Sequence, residues 1–160
     1  MAGYFPIFVN IEETRILIVG GGTIALRRIR TLLPFAGKIT VVAKRACEEI
    51  RILAGEGKLV LKECPFTRED LLGQEAVLAC TDQREQNDEI YDLCKRSGIW
   101  VNNCSDRQKC DFFFPSVLEH DGVVIGINAG GENHKKVKET RMELEAYFNG
   151  KEEMNDGNDS

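Results

Sequence analysis

The sequence predicts an α/β protein with a Rossmann-type, doubly wound parallel sheet, followed by an antiparallel β-hairpin and a C-terminal helix. Short apolar runs rich in β-branched residues alternate with amphipathic segments over about the first hundred residues. The first of these runs, Arg15–Val19, ends at three consecutive glycines that lead directly into a helical pattern. In such sheets ligands bind at the carboxyl ends of the strands, so we expect a binding site at this edge.

The first βαβ unit has the clearest pattern. Arg15–Val19 is a nearly continuous apolar run, which is typical of a strand buried on both faces. A helix is predicted from Thr23, because apolar side chains then recur at helical spacing until Pro34 and Gly37 interrupt the pattern. Ile39–Ala43 is the second predicted strand.

The same alternation continues through three further strands. Strands separated by helices indicate parallel pairing with right-handed crossover connections. In chain order, the predicted elements are a helix from about Cys47 to Ala54, a strand at Leu59–Leu61, a helical turn at Thr67–Leu72, a strand at Ala76–Cys80, a helix from about Arg84 to Lys95, and a strand at Ile99–Val101.

The pattern changes after the fifth predicted strand. Phe112–Leu118 and Val123–Ile127 are apolar runs joined by a segment that ends in Asp121 and Gly122, a dipeptide that favours a hairpin turn. A charged helix is then predicted from His134 to Phe148. These runs predict an antiparallel addition to the parallel sheet.

The chain is therefore expected to divide into three parts. Residues 1–110 are the predicted dinucleotide-binding domain, and residues 111–148 are the predicted hairpin and helix. Residues 149–160 are polar and acidic, so we predict a disordered tail.

The glycine turn carries the most specific chemistry. Gly20, Gly22 and Ala25 match the pattern G-x-G-x-x-A, in which the first glycine permits a tight turn and the second lets backbone N–H groups approach a pyrophosphate. The small Ala25 lets the helix pack closely on the strand. Because the motif follows a strand and opens a helix whose dipole favours an anion, we predict a dinucleotide site. The predicted cofactor contacts here are Gly20, Gly21, Gly22, Thr23 and Ile24.

The end of the second predicted strand bears on the choice of dinucleotide. The acidic residue that commonly grips the ribose hydroxyls of NAD is replaced by Lys44 and Arg45. A basic residue favours a 2′-phosphate and hence NADP, while solvated surface cations are the alternative. We predict NAD as the cofactor, with NADP open, and Lys44 as one of its contacts.

Composition excludes several functional classes. With 160 residues, 42% of them hydrophobic, the chain can bury a core without disulfides or a structural metal. Its six cysteines show no C-x-x-C or metal-ligand spacing, so no metal site is expected. The net charge of -5 argues against a nucleic-acid partner. No segment approaches the roughly 18 apolar residues of a membrane span, and no signal peptide is evident. We expect a cytoplasmic protein.

Further motifs follow the glycine turn along the chain. The whole set comprises Ile18–Ala25, Ala79–Asp82 with Asn87, Val101-Asn102, Cys110–Ser116 and Gly130-Gly131. In this order and at this spacing, over about residues 4–131, they resemble the precorrin-2 dehydrogenase family, which includes the N-terminal module of sirohaem synthase.

The resemblance implies NAD-dependent oxidation of precorrin-2 to sirohydrochlorin, a step toward sirohaem and related tetrapyrroles. It also implies a homodimer built through the hairpin, which makes residues 111–148 a dimerisation segment. It adds Thr81, Asp82 and Asn102 to the cofactor contacts, and Ser116 and Arg27 to the contacts with the carboxylate-rich substrate. For Ser116 the alternative is a hairpin-strand serine whose hydroxyl is hydrogen-bonded to backbone. Family members normally continue into a further helical domain beyond the length of this chain, so ferrochelatase activity is not expected.

Dehydrogenation needs a base to take a proton while hydride leaves the substrate. The family's aspartate lies three residues after the asparagine that matches Asn102, and this count falls on Ser105. The next residue, Asp106, is the expected source of the carboxylate. Asp111 is a further catalytic candidate, with a loop-terminating role as its alternative. The alternative function is a non-catalytic member that binds a nucleotide or a tetrapyrrole.

Overall fold

The structure, a computed structural model, describes residues 5–130 and 133–156. A 3-10 turn at Arg68–Leu71 precedes the fourth strand. The regular elements, in chain order, are β1 (Arg15–Val19), α1 (Thr23–Leu32), β2 (Lys38–Val42), α2 (Glu48–Gly55), β3 (Val60–Lys62), β4 (Ala76–Ala79), α3 (Arg84–Ser97), β5 (Trp100–Asn103), β6 (Ser116–His120), β7 (Val123–Ile127) and α4 (His134–Asp156).

The first five strands form one parallel sheet in the order β3-β2-β1-β4-β5. The order reverses between β1 and β4, which is the switch point where sheets of this kind bind ligands. Every residue of β1 and β4 is buried except Arg15. The predicted Rossmann-type sheet is therefore confirmed.

Helices pack on this sheet through a buried stripe on each. In α1, Ala25 and Ile29 are completely buried. In α3, Ile90 and Cys94 pack into the same apolar cluster as Leu17 of β1. These contacts bring the first turns of α1 and α3 to the carboxyl edge of the sheet.

The predicted hairpin is also confirmed. β6 and β7 pair antiparallel, with His120 opposite Val123. Asp121 and Gly122 have φ values of 48° and 74°, as the two central residues of a type I′ turn require. The ring of Phe148 on α4 stacks on His120, with centroids 4.3 Å apart.

Two boundaries differ from the sequence prediction. β6 begins at Ser116 rather than Phe112, because the Asn102 side chain donates a hydrogen bond to the Phe112 carbonyl at 2.8 Å and holds that residue beside β5. The fourth helix continues past Phe148 to Asp156, into the segment predicted to be disordered. Residues with high helix propensity, such as lysine, glutamate and methionine, occupy this extension. Gly131 and residues 157–160 lie outside the described residues.

The chain forms two compact units. Residues 9–113 contain the parallel sheet and its helices, and the hairpin and α4 belong to the other unit. None of the described helices has the length and apolar character needed to cross a lipid bilayer.

Candidate functional site

The turn between β1 and α1 is enclosed by backbone on two sides. Gly20 has a φ of +123°, and a Cβ there would lie 2.4 Å from the carbonyl oxygen of Cys80. A Cβ on Gly21 would lie 2.4 Å from the carbonyl oxygen of Arg45. The Gly20 N–H also donates to the Val42 carbonyl at 2.9 Å. The turn is thus packed against the chain that follows β2 and β4, which excludes side chains at its first two positions.

The third glycine faces open space. A Cβ on Gly22 would have no neighbouring atom within 4 Å, and Gly22, Thr23 and Ile24 are all exposed. Gly22 is the N-cap of α1, whose first turn contains no acidic side chain. The first N–H groups of a helix have no acceptor within it, and they carry the positive end of its dipole. This arrangement can hold the pyrophosphate of a dinucleotide.

Asn87 of α3 ties together the loops that follow β4 and β5. Its side chain is completely buried. The Oδ1 atom accepts the backbone N–H of Thr81 at 3.0 Å and lies 2.7 Å from the Thr81 hydroxyl. The Nδ2 atom donates to the Thr81 carbonyl at 3.0 Å and to Ser105 Oγ at 3.1 Å. One buried amide therefore fixes two loops at the carboxyl edge.

Asn103, which the sequence analysis did not single out, extends this network. Its Oδ1 atom accepts the hydroxyl of Ser105 at 2.7 Å and the Ser105 N–H at 2.9 Å. Its Nδ2 atom donates to Asp88 at 2.9 Å. The sequence could have indicated Asn103, because it is a polar residue at the end of a buried strand and a buried polar side chain needs hydrogen-bond partners. The Ser105 hydroxyl is consequently engaged by two amides.

Asp106 follows this network in the same loop. Its Oδ2 atom lies 3.3 Å from Arg84 at the start of α3, and its Oδ1 atom accepts the N–H of Gln108 at 2.9 Å. The carboxylate is mostly enclosed, with a side-chain exposure of 19%. The structure therefore brings Asp106 and Ser105 together at the carboxyl edge and anchors both to α3.

Asp111 occupies a different position. Its Oδ2 atom accepts the N–H of Val101 at 3.1 Å, and its Oδ1 atom lies 2.6 Å from Lys95. The hydrogen bond to Asp111 raises the pKa of Lys95. Val101 is near the beginning of β5, whereas Ser105 follows the end of that strand. These contacts favour the loop-terminating role over the catalytic one.

The remaining predicted contacts lie at several places. Asn102 is buried and donates to the Phe112 carbonyl, so its amide stabilises the loop. Ser116 is the first residue of β6, in the other unit. Three further predicted contacts are exposed: Lys44 follows β2, Asp82 follows β4, and Arg27 lies on α1.

Comparison with known proteins identifies the family of the chain. A family described as NAD(P)-binding matches residues 7–116. A multifunctional siroheme biosynthesis protein, HemA of Ruminiclostridium josui, is 34% identical over 143 residues, covering 89% of this chain and 28% of that protein. Siroheme synthase of Pseudoalteromonas translucida is 34% identical over 145 residues, covering 91% of this chain and 31% of that protein. The chain thus spans less than a third of the length of these curated relatives.

A solved structure matches the fold as well. SirC, a precorrin-2 dehydrogenase, aligns with a TM-score of 0.73 at 25% identity, covering 91% of this chain and 71% of that one. The family match covers the parallel sheet, the glycine turn and both loops joined by Asn87. The chain therefore belongs to the NAD(P)-binding family of the precorrin-2 dehydrogenases and sirohaem synthases.

Proposed function

We propose that this protein binds NAD at the Gly20–Gly22 turn and uses it to oxidise precorrin-2 to sirohydrochlorin. The observation that carries the proposal is the open, exposed face of Gly22 at the start of α1, beside the carboxyl ends of β1 and β4. The substrate class comes from the relatives, which are siroheme synthases and a precorrin-2 dehydrogenase. NADP is the alternative cofactor, since Lys44 and Arg45 are exposed after β2.

Each part of the site has a proposed task. A bound nicotinamide cofactor would supply the acceptor for the hydride of the tetrapyrrole. The backbone N–H groups of Gly22, Thr23 and Ile24 hold the pyrophosphate. Arg27, exposed on α1, attracts the substrate's carboxylates. Asp106 takes the proton, and Arg84 orients its carboxylate from 3.3 Å away.

A non-catalytic binding role is the second candidate, and one observation favours it. Both positions from which a base is expected are already engaged, Ser105 by Asn87 and Asn103, and Asp106 by Arg84 and the Gln108 backbone. An activity assay distinguishes the enzymatic role from the binding role. The purified protein is incubated with precorrin-2 and either NAD+ or NADP+, and the absorbance of the reduced cofactor and of sirohydrochlorin is followed. Absence of turnover at saturating cofactor supports the binding role.

Gly22→Ala is expected to weaken NAD binding at least tenfold without altering the fold, because the added methyl group enters the space where the pyrophosphate is proposed to sit. A tenfold loss corresponds to about 1.4 kcal/mol of binding free energy. Isothermal titration calorimetry with NAD+ and NADP+ measures the loss, and a thermal melt without nucleotide checks the fold. Unchanged affinity for both nucleotides would place the pyrophosphate elsewhere.

The hairpin is expected to mediate a homodimer. The hairpin is a two-stranded sheet, whose strand edges can pair with another chain, and Val123 at its tip is 57% exposed. Light scattering should give about twice the chain mass of 18.0 kDa. Val123→Lys should shift the protein toward monomer, whereas the control Ile52→Lys, at a 51% exposed site on α2, should not. A monomeric wild-type protein contradicts the proposal.

A further inference from the structure

Two cysteines lie side by side at the carboxyl ends of β4 and β5. Ala79 pairs with Asn103 in the register of these strands, so the next residues, Cys80 and Cys104, stand opposite each other. The Cys104 N–H donates to the Ala79 carbonyl at 2.9 Å, and the two Sγ atoms are 3.1 Å apart. Neighbouring strands are about 4.8 Å apart, which lies within the roughly 4.4–6.8 Å over which disulfides join Cα atoms. A bond between the two sulfurs requires little movement of the backbone.

The environments of the two thiols are unequal. Cys80 is buried, and both its hydrogen bond with Cys104 and its burial raise its pKa. Cys104 is partly exposed. The hydrogen bond with Cys80 and the cations of Arg28 and Arg27 lower the pKa of Cys104 to about 6. The thiolate is the nucleophilic form of cysteine, so Cys104 is equipped to react first and Cys80 to react second.

We propose that Cys80 and Cys104 are a thiol-oxidation site that closes reversibly to a disulfide beside the dinucleotide turn. The oxidant is a hydroperoxide. The Cys104 thiolate attacks the terminal oxygen of the hydroperoxide, the O–O bond breaks, and Cys104 becomes a sulfenic acid while the other oxygen leaves and takes up a proton to give an alcohol or water. Cys80 then attacks the Cys104 sulfur, the S–O bond breaks, water leaves, and the S–S bond forms. The two thiols lose two electrons, which reduce the peroxide, and a small thiol restores them by exchange.

The position of the pair connects it to the glycine turn. The carbonyl of Cys80 is the group against which Gly20 packs. The residue after Cys80 is Thr81, whose backbone is held by Asn87. A disulfide would therefore lock the two strand ends that border the cofactor site. Bound NAD should in turn slow oxidation by covering this edge, an expectation that rests on the proposed function.

Two other cysteines provide controls, Cys110 near the pair and Cys64 after β3 at the opposite edge of the sheet. Cys110 lies nearby, with its Sγ atom 3.4 Å from the Asn103 carbonyl, and burial raises its pKa. Cys64 is exposed, without a neighbouring thiol recorded in the described part of the chain. If exposure decided reactivity, Cys64 would react first.

The first test is competitive alkylation of the reduced full-length chain with limiting iodoacetamide, followed by peptide mapping. Cys104 should be labelled before the more exposed Cys64 near neutral pH. Its labelling should rise with pH through a midpoint of about 6 and level off above it, because the thiolate fraction saturates there. Labelling of Cys64 ahead of Cys104 throughout the pH series would overturn the assignment of the reactive thiol.

The second test is oxidation with one equivalent of hydrogen peroxide, followed by non-reducing peptide mapping. The wild-type chain and the control Cys110→Ser should both yield a linked peptide pair containing Cys80 and Cys104, which dithiothreitol separates. Cys80→Ser should leave Cys104 as a sulfenic acid that dimedone traps. Oxidation of wild-type Cys104 to sulfinic acid without a disulfide to Cys80 would overturn the proposal. This outcome is read on the wild-type chain and does not depend on the folding of any variant.

Addition of NAD+ tests the thiol-oxidation site and the proposed nucleotide site separately. Slower formation of the link in the presence of NAD+ supports both the oxidation site and the nucleotide site. Equal rates with and without NAD+ contradict the nucleotide site and leave the disulfide established by the linked peptides.

Discussion

Gly20→Ala is expected to lower the free energy of unfolding by about 3 kcal/mol. At a φ of +123° any side chain is strained, and the new Cβ would lie 2.4 Å from the Cys80 carbonyl oxygen and 2.6 Å from its carbon. Both contacts are to backbone, so relief requires a shift of β1 and β4, in which every residue except Arg15 is buried. Urea denaturation followed by circular dichroism measures the difference in stability.

Gly22→Ala is the matched control, since it adds the same methyl group two residues along the chain. Gly22 has a φ of -92°, which any residue adopts, and its Cβ would have no neighbour within 4 Å. Its stability should stay within about 0.5 kcal/mol of the wild type. Equal losses at Gly20 and Gly22 would contradict the enclosed geometry of the turn. The two variants together separate the structural glycine from the one that leaves room for a ligand.

The parallel sheet was predictable because its signals are local. A continuous apolar run such as residues 16–19 has to be buried on both faces, and glycine at its end has to turn the chain. The hairpin was predictable for the same reason, since Asp121 and Gly122 both tolerate the positive φ of a type I′ turn. These features depend on neighbouring residues, and sequence spacing alone reveals them.

The loops of the site were less predictable, because their partners are distant in sequence. Ser105 is oriented by Asn87, 18 residues earlier, and Asp106 by Arg84, 22 residues earlier. No periodicity signals such pairs. The apolar run from Phe112 likewise resembled the start of a strand. The Asn102 amide instead donates to the Phe112 carbonyl, and β6 begins at Ser116. Long-range side-chain hydrogen bonds decided each of these cases.

Asp106→Asn is expected to reduce the rate of precorrin-2 oxidation about a hundredfold or more, if the carboxylate takes the proton as proposed. The amide keeps an oxygen that can accept the Gln108 N–H. The amide cannot form the ion pair with Arg84. Because the Arg84 side chain is 65% exposed, the loss of this ion pair should change stability little. The affinity for NAD should therefore be unchanged. Single-turnover kinetics with saturating cofactor measures the chemical step.

Asp88→Asn is the control for this variant, because it also removes a carboxylate that pairs with a cation, Lys109, at 2.9 Å, while its new amide keeps an oxygen that can accept the Asn103 side chain. Its rate should stay close to that of the wild type. If both variants lose activity equally, the loss reflects a disturbed loop and Asp106 is not the base.

Ser105→Asp then distinguishes an enzyme from a binding protein. The new carboxylate would lie beside the Asn87 amide that now donates to the Ser105 hydroxyl, while Asn103 would have to turn its amide to donate as well. If the wild-type chain is inert and this substitution creates turnover, the chain is a binding member whose base was absent. If the wild type turns over and Asp106→Asn abolishes it, the base has moved by one residue. The two outcomes place the base at different positions of one loop, at residue 105 beside the Asn87 amide or at Asp106 beside Arg84.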